Sequence, residues 1–243
     1  MNVTETVTRI VPTLKCNNRK HALAFFKDNL GMNILLEDGA WTSLGDASKI
    51  EKLTLEEAPS NRTRAVKGVK KLAKLIIKVA DAHEIEALLA RGASYTQLYQ
   101  GQAGYAFEAL SPEGDLILLH AEENLDKLNT ISSASFEDQP GFAGLTAFEI
   151  EQVQLHVPDL AASQRFYEQF VPKLPQLAFL PAKGADLQAP VEETWDISQI
   201  KFILDSFDGQ ALKTALPDAF LAKSGKFLTI DDPSQIEVWF EGL

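Results

Sequence analysis

The sequence predicts an α+β protein made of tandem modules, each with the order strand, helix, strand, strand, strand (βαβββ). The clearest module opening is the stretch 151–170, EQVQLHVPDLAASQRFYEQF. Its first part alternates apolar and polar residues, as a half-buried strand does. Asp159 then offers a carboxylate to the free N–H groups of a helix whose apolar stripe is Leu160, Phe166, Tyr167 and Phe170. The same order recurs three more times, more faintly.

The first half of the chain carries modules one and two. Module one is predicted to have a strand at 10–16, a helix at 19–30 that Gly31 ends, and strands at 33–37, 41–44 and 52–57. Asp38-Gly39 between two of these strands is a strong hairpin signal. Module two has a strand at 73–79, a helix at 82–91 that stops at Gly92, and strands at 95–99, 104–110 and 116–120.

The second half carries modules three and four. Module three opens with the stretch 151–170, adds a strand near 176–181, and has an irregular segment at 182–193 in place of a hairpin. Module four has a strand at 200–205, a helix at 209–216 and strands at 226–230 and 236–240. A single module cannot bury its own sheet face, whereas two modules side by side form a curled sheet with a cleft inside.

A linker separates the two halves. Residues 127–146, KLNTISSASFEDQPGFAGLT, mix Ser, Asn, Gly and Pro without an apolar period. We therefore predict an N-terminal domain of modules one and two at 1–125, a linker at 126–146, and a smaller C-terminal domain of modules three and four at 147–243.

Composition excludes some classes of partner. With 23 basic and 34 acidic residues the formal net charge is −11, which argues against nucleic acid and anionic membranes. The single cysteine, Cys16, permits no intrachain disulfide. The N-terminus lacks a secretory signal, and no apolar run reaches the roughly 18 residues of a membrane span. These features predict a cytoplasmic protein.

Several runs carry a resemblance to known families. VPDLAASQRFYEQF resembles the module opening of the vicinal oxygen chelate (glyoxalase and bleomycin-resistance) superfamily, which implies two glyoxalase-like domains. The whole chain also resembles the streptococcal CppA family, through RIVPTLKCNNR, EEAPSNRTR, GYAFEALSPEGDLILLHAE, WDISQIKFIL and IEVWFE. That resemblance implies a proteinase that degrades the third component of complement. It would make a host complement protein the partner and a cell-surface or extracellular location the alternative to the cytoplasm.

The superfamily resemblance also implies positions for a divalent metal on the first and closing strands of each module. In the N-terminal domain these positions fall on Val11, Lys74 and Leu118, which are not metal ligands, so no metal is expected there. In the C-terminal domain they fall on Gln152, Gln199 and Glu237, whose oxygens suit a weakly held metal. A weak lyase- or dioxygenase-like metalloenzyme is therefore one alternative; the other is that these side chains line a polar cleft or face water.

A second candidate site is a metal-free pocket. By strand alternation Lys74 and Lys78 share a face, and His120 shares the face of Leu118. With Thr13 and Lys15 they would form a small basic pocket for an acidic small molecule, with Glu108 and Tyr105 as further lining candidates. The alternative for His120 is a structural hydrogen bond. A homodimer is also compatible with the sequence.

Protease motifs are incomplete. His83-Glu84 begins H-E-x-x-H, but Ala87 replaces the second histidine. A nucleophile elbow at Ser43 lacks its first glycine, and Asp205-Ser206 is followed by Phe207 instead of glycine. A pair of Cys16 with His21, His83, His120 or His156 stays open, beside the interpretation of Cys16 as a small core residue. No glycine pattern for a nucleotide cofactor is present.

Overall fold

The computed structural model describes residues 7–170 and 174–243 of the chain. Module one contains β1 (Val7–Cys16), α1 (Arg19–Leu23), which continues as a π-helical turn over Ala24–Asn29, β2 (Asn33–Asp38), β3 (Trp41–Gly45) and β4 (Glu51–Glu57). Module two contains β5 (Leu72–Val79), α2 (Ala82–Ala90), β6 (Gln97–Gln100), β7 (Tyr105–Leu110) and β8 (Leu116–His120).

The second half begins with a short 3-10 turn at Leu125–Lys127 and the strand β9 (Asn129–Ile131). Module three contains β10 (Phe148–Val157), α3 (Leu160–Glu168) and β11 (Leu177–Pro181). Module four contains β12 (Ile197–Leu204), α4 (Gly209–Ala215), β13 (Phe220–Leu221), β14 (Phe227–Asp231) and β15 (Glu237–Gly242). Within the described ranges, no helix is long and apolar enough to cross a membrane.

Two sheets hold these strands. Sheet one has eight strands in the order β13-β14-β15-β12-β1-β4-β3-β2, and sheet two has seven in the order β11-β10-β5-β8-β7-β6-β9. The first strands of modules meet in antiparallel pairs inside each sheet. In sheet one β1 pairs with β12, with Thr13 opposite Gln199, and in sheet two β5 pairs with β10.

The pairing of modules differs from the prediction. Sheet one joins modules one and four, and sheet two joins modules two and three, so each sheet takes strands from both sides of the linker. The first strand of each module has an open edge that needs a partner. Apolar alternation identifies such a strand but carries no information on which module supplies its neighbour. The division of the chain at the linker stays a prediction.

Local signals in the sequence are confirmed. Asp159 Oδ1 accepts a hydrogen bond of 2.9 Å from the Ala162 N–H at the start of α3, as its capping position predicts. Gly31 follows the first helix with φ 72°, a left-handed conformation that suits glycine. The stretch 182–193 has no strand, which leaves module three with two strands in sheet two.

Two short strands were not predicted. In the linker, Asn129–Ile131 forms β9 and pairs with β6 at one edge of sheet two. Phe220–Leu221 forms β13 and pairs with β14 at one edge of sheet one. Strands of two or three residues have too few positions for a period of two to be recognised, so only the pairing partner reveals them.

Each sheet has one apolar face and one polar face. In β15, Val238 and Phe240 are buried in the core, and the rings of Phe170, Phe202 and Phe240 pack with centroids 5.0–6.2 Å apart. Glu237 and Trp239 alternate with them and point to the other face. The helices cover the apolar faces, so the polar faces are left for function.

The two segments that connect successive modules dock on each other. Arg64 forms two hydrogen bonds, of 2.6 and 2.9 Å, with the carboxylate of Asp186. The carboxylate of Asp196 is buried and accepts the backbone N–H groups of Lys71 at 2.6 Å and Leu72 at 3.1 Å. The residues before β5 and β12 are therefore held together, at the point where the chain passes between the two sheets.

Candidate functional site

The centre of the polar face of sheet one brings several polar side chains together. In register, Thr13 of β1 lies between Gln199 of β12 and Thr54 of β4, and Gln199 lies opposite Glu237 of β15. Lys15 lies opposite Glu56 on the parallel pair β1–β4. Cross-strand partners project to the same side of a sheet, so these side chains form one cluster, which we call the central cluster.

Hydrogen bonds and one ion pair connect the central cluster. Lys15 Nζ lies 3.3 Å from Glu56 Oε1, with only 7% of the lysine side chain exposed. Ser198 Oγ donates to Glu56 Oε2 at 3.4 Å. Gln199 Nε2 donates to Glu237 Oε2 at 3.1 Å, and Thr13 Oγ1 donates to Gln199 Oε1 at 3.4 Å. The polar groups therefore bond mainly to one another.

A second group of contacts extends the cluster across β1. Lys201 Nζ donates to Glu51 Oε2 at 3.0 Å, and Ser43 and Thr54 donate to Glu51 Oε1 at 2.5 and 2.9 Å. Burial would raise the pKa of Glu51, but the bonds from Ser43, Lys201 and Thr54 outweigh it, so the pKa is lowered. This carboxylate is ionised at neutral pH and fully engaged.

Glu237 has a different environment. Burial, followed by the negative charges of Asp231 and Glu56, raises the pKa of Glu237, and the hydrogen bond from Gln199 offsets only part of this effect. Its hydrogen-bond partner is a neutral amide, not a cation. Among the carboxylates of the cluster, Glu237 is therefore the one best prepared to exchange its partner for a ligand.

The polar face of sheet two repeats one feature of sheet one. Lys74 Nζ of β5 lies 2.5 Å from Glu108 Oε1 of β7, as Lys15 lies against Glu56. Gln152 of β10 accepts a hydrogen bond of 2.8 Å from Gln154 and donates to the Pro175 carbonyl at 3.1 Å. Leu118 lies between these groups on β8.

His120 is completely buried at the end of β8. Its Nε2 lies 3.0 Å from Glu151 Oε2, and its Nδ1 accepts the Glu122 N–H at 3.2 Å. Burial lowers the pKa of His120, although Glu151 acts in the opposite direction. A neutral imidazole satisfies both contacts, with the proton on Nε2. This environment agrees with the interpretation of His120 as a structural hydrogen-bonding residue.

The structure divides the predicted site residues between the two sheets. Thr13, Lys15, Gln199 and Glu237 meet in the central cluster of sheet one. Lys74, Lys78, His120 and Gln152 lie on sheet two, so neither the five-residue basic pocket nor the three-residue metal set forms as one group. Glu108 faces the cleft, whereas Tyr105 packs against the core and Phe136. Strand alternation indicates which residues of a strand share a face, but it cannot tell which sheet that face belongs to.

The predicted cations already have acidic partners. Besides the pairs of Lys15 and Lys74, Lys78 Nζ lies 2.7 Å from Glu123 Oε1, and His120 contacts Glu151. An anionic ligand would have to displace a carboxylate at each of these positions. The basic pocket therefore lacks the uncompensated positive charge that it needs for an acidic ligand.

Three members of this region, Glu56, Glu51 and Ser198, were not predicted from the sequence. A signal for Glu56 was present, because the segment KLTLEE at 52–57 alternates Leu53 and Leu55 with polar residues. Glu51 and Ser198 lie where the pairing register shifts, next to the β3–β4 and β1–β12 irregularities. A bulge changes the face to which a side chain points, and its position is not visible in apolar alternation.

The residues at the superfamily metal positions do not fit a divalent metal. In sheet two these positions hold a lysine, Lys74, and the apolar Leu118. In sheet one the Lys15 ammonium is bound to Glu56, and the Gln199 amide N–H is directed at Glu237. Among residues 7–170 and 174–243, no group of three His, Cys, Asp or Glu is arranged to hold a metal ion. Gln152 is on the other sheet from Gln199 and Glu237.

Cys16 belongs to the hydrophobic core. Its side chain is buried, and burial, assisted by Glu113, Glu57 and Asp115, raises its pKa to about 12. A thiol with this pKa is protonated at neutral pH and is not a nucleophile. His156 Nδ1 lies 2.9 Å from the Lys70 carbonyl, and His120 is engaged by Glu151, so neither imidazole is directed at the thiol.

We expect Cys16 to resist alkylation. At about pH 8 a thiol with a pKa of about 12 has only about one part in ten thousand as thiolate, and the core excludes the reagent. Mass spectrometry after treatment with iodoacetamide should show no adduct on the folded protein and one adduct in urea. Stoichiometric labelling of the folded protein would contradict the assignment of Cys16 to the core and reopen a Cys–His pair.

Comparisons with known proteins define the class of the fold. Glyoxalase I from Zea mays is 15% identical, with 96% of this chain and 92% of that chain covered and a TM-score of 0.58. A candidate dioxygenase from Bacillus subtilis is 11% identical, with 100% and 86% covered and a TM-score of 0.62. At this level of identity the likeness shows the fold alone. The protein therefore has the vicinal oxygen chelate fold predicted from its module openings.

The family is shown by closer matches. Residues 9–131 match the CppA N-terminal family model, and residues 145–240 match the CppA C-terminal model. The crystal structure of the cppA protein from Streptococcus pneumoniae TIGR4 is 43% identical, covers 98% of this chain and 99% of that chain, and has a TM-score of 0.89. The chain belongs to the CppA family. A search of curated proteins finds no match.

Proposed function

We propose that this protein binds a small polar ligand, without a metal, at the central cluster on the polar face of sheet one. One observation carries the proposal: the Lys15 ammonium lies 3.3 Å from Glu56, in the same cluster as Gln199 and Glu237, which occupy superfamily metal positions. The lysine supplies a fixed positive charge to this carboxylate. Lys74 does the same for Glu108 on sheet two, so both sheets contain a lysine–glutamate pair of this kind.

The chemistry of the central cluster indicates the class of ligand. It offers the hydroxyls of Thr13 and Ser198, the amide of Gln199 and the carboxylate of Glu237. A neutral ligand with hydroxyl or amide groups can exchange hydrogen bonds with these groups. It leaves the Lys15–Glu56 and Lys201–Glu51 pairs of sheet one intact. An anion would instead meet four glutamates and two lysines on this face, namely Glu51, Glu56, Glu237, Glu241, Lys15 and Lys201.

A ligand screen tests the proposal directly. Thermal-shift measurements against neutral hydroxyl- and amide-bearing metabolites should find compounds that raise the melting temperature of the full chain. Glu237→Gln should weaken their binding by about tenfold, because one charge-assisted hydrogen bond is replaced by a neutral one. Glu168→Gln, which alters a carboxylate on α3 away from this face, is the matched control and should have no effect. If no compound stabilises the protein, the proposed function is wrong.

A metal-binding experiment tests the role of Lys15. Millimolar Mn²⁺ or Ni²⁺ should leave the melting temperature of the natural protein unchanged, because the ammonium competes for the Glu56 carboxylate. In Lys15→Met, Glu56 and Glu237 become available as oxygen ligands, and Mn²⁺ should raise the melting temperature. Lys20→Met, which removes an exposed lysine from α1, should behave as the natural protein does. Stoichiometric metal in the natural protein would contradict the proposal.

Proteolysis of the third component of complement is the activity that the family resemblance implies. It needs a nucleophile or an activated water, and Cys16 cannot supply the first because its pKa is raised to about 12. Incubation of the purified complement component with the natural protein and with Cys16→Ala tests it. Defined fragments that form with the natural protein, and not after Glu237→Gln, would favour a hydrolytic role for the central cluster over ligand binding.

A further inference from the structure

A groove lies at the seam between the two sheets, away from the central cluster. It consists of two adjoining clefts of about 210 and 340 Å³ that share Glu149, Ile150 and Gln176. The smaller cleft reaches Arg9 and Ile50 on the side of sheet one, and the larger extends along sheet two. Together the clefts fall in the usual size range of small-molecule sites, and boundaries between structural units are frequent places for them.

Two buried polar atoms in the smaller cleft have no hydrogen-bond partner in the described part of the chain. They are Nε of Arg9, on β1, and Oε1 of Gln176, just before β11. One is a donor and the other an acceptor, and they come from the two opposite walls of the groove. A buried polar group without a partner is costly and therefore uncommon in proteins. Two such atoms in one cleft indicate that a ligand supplies the missing partners.

The groove also carries charged side chains that form no direct ion pair. Arg9 and Glu149 take part in no ion pair or side-chain hydrogen bond among residues 7–170 and 174–243. Lys52, which also lines the smaller cleft, differs because its ammonium contacts the Asp46 carboxylate and the Phe148 carbonyl. The groove thus presents the Arg9 guanidinium as an available cation and the Glu149 carboxylate, whose cross-strand neighbour is Lys78, as an anion. Ile50, which is 44% exposed, and Ile150 add apolar surface between the two walls.

We propose that this groove binds a small zwitterion with an apolar side chain, of the class of the α-amino acids. The ligand carboxylate accepts hydrogen bonds from the Arg9 guanidinium. The ligand ammonium donates to Gln176 Oε1 and pairs with Glu149. The apolar side chain rests on Ile50 and Ile150, and its removal from water adds to the affinity. The site is separate from the central cluster and does not depend on the function proposed there.

Leucine and its two blocked analogues test each contact. In titrations of the full chain followed by NMR, leucine should cause saturable shifts, whereas N-acetylleucine, which lacks the ammonium, and leucinamide, which lacks the carboxylate, should bind at least tenfold more weakly. Arg9→Gln should weaken leucine binding about tenfold and leave leucinamide unchanged. Gln176→Leu should weaken leucine and leave N-acetylleucine unchanged.

Two further variants complete the experiment. Arg62→Gln alters an exposed arginine outside the groove and should bind leucine as the natural protein does. Glu237→Gln alters the central cluster and should also leave leucine binding intact, even if it abolishes the binding of polar ligands there. The proposal is overturned if leucine shows no saturable binding, if Arg9→Gln and Arg62→Gln behave alike, or if leucine binding is lost in Glu237→Gln.

Discussion

Replacing Asp196 with alanine should lower the free energy of unfolding by about 3–5 kcal/mol. The carboxylate is buried and accepts three backbone N–H groups, from Lys71 at 2.6 Å, Leu72 at 3.1 Å and Ile197 at 2.8 Å. Alanine leaves these donors buried without partners. Because the donors belong to the starts of both β5 and β12, the loss also loosens the contact that holds the two intermodule segments together.

Urea denaturation followed by circular dichroism measures this effect. Asp196→Asn should cost less than alanine, because its amide oxygen keeps the bonds from Leu72 and Ile197 and the cost of burying a charge disappears. Burial raises the pKa of Asp196, which agrees with such a cost. Asp205→Ala removes an exposed carboxylate just beyond β12 and is the matched control, with little expected change. If Asp196→Ala changed the free energy of unfolding as little as Asp205→Ala, the docking of the two intermodule segments would contribute little to stability.

Asp232→Asn should stabilise the protein at neutral pH. Burial raises the pKa of Asp232 from 3.8 to about 6, although the bonds from Ile236 N–H, Ser234 N–H and Tyr167 Oη act in the opposite direction. Between pH 3.8, the pKa of the unfolded state, and about pH 6, the pKa of the folded state, the folded protein binds more protons than the unfolded protein. Stability from this group is therefore complete below about pH 4 and falls by about 3 kcal/mol as the pH rises through 6.

The asparagine variant keeps the backbone bonds and carries no charge. Its free energy of unfolding should match that of the natural protein near pH 4 and exceed it by about 3 kcal/mol near pH 8. Tyr167→Phe removes a hydrogen-bond donor to the carboxylate, so it should raise the pKa of Asp232 further and steepen the pH dependence. A constant difference between Asp232→Asn and the natural protein across this pH range would refute the raised pKa.

Much of the fold could be predicted from the sequence because its signals are local. The alternation around Val153, Leu155 and Val157 identifies β10, and Asp159 at the following helix start is confirmed by its bond to the Ala162 N–H. Family resemblance added the vicinal oxygen chelate class, which the comparisons bear out. What failed is the arrangement of modules, since β1 pairs with β12 and β5 with β10.

The candidate site could be predicted only in part for the same reason. Thr13, Lys15, Gln199 and Glu237 were all singled out, but as members of two different sites in two different domains. Their meeting in one cluster follows from the pairing of β1 with β12, a contact between residues almost two hundred positions apart in sequence. Glu51 and Ser198 were missed because bulges turn their side chains toward the cluster.

The sequence by itself determined the modules and the polar and apolar faces of most of their strands. These properties depend on residues close together in the chain, where period and residue type are sufficient. Only the tertiary structure decided which modules share a sheet, that Lys15 neutralises Glu56, and that Arg9 and Gln176 face one groove. These contacts join distant segments, and they depend on edge pairing and bulges that leave no periodic signal in the sequence.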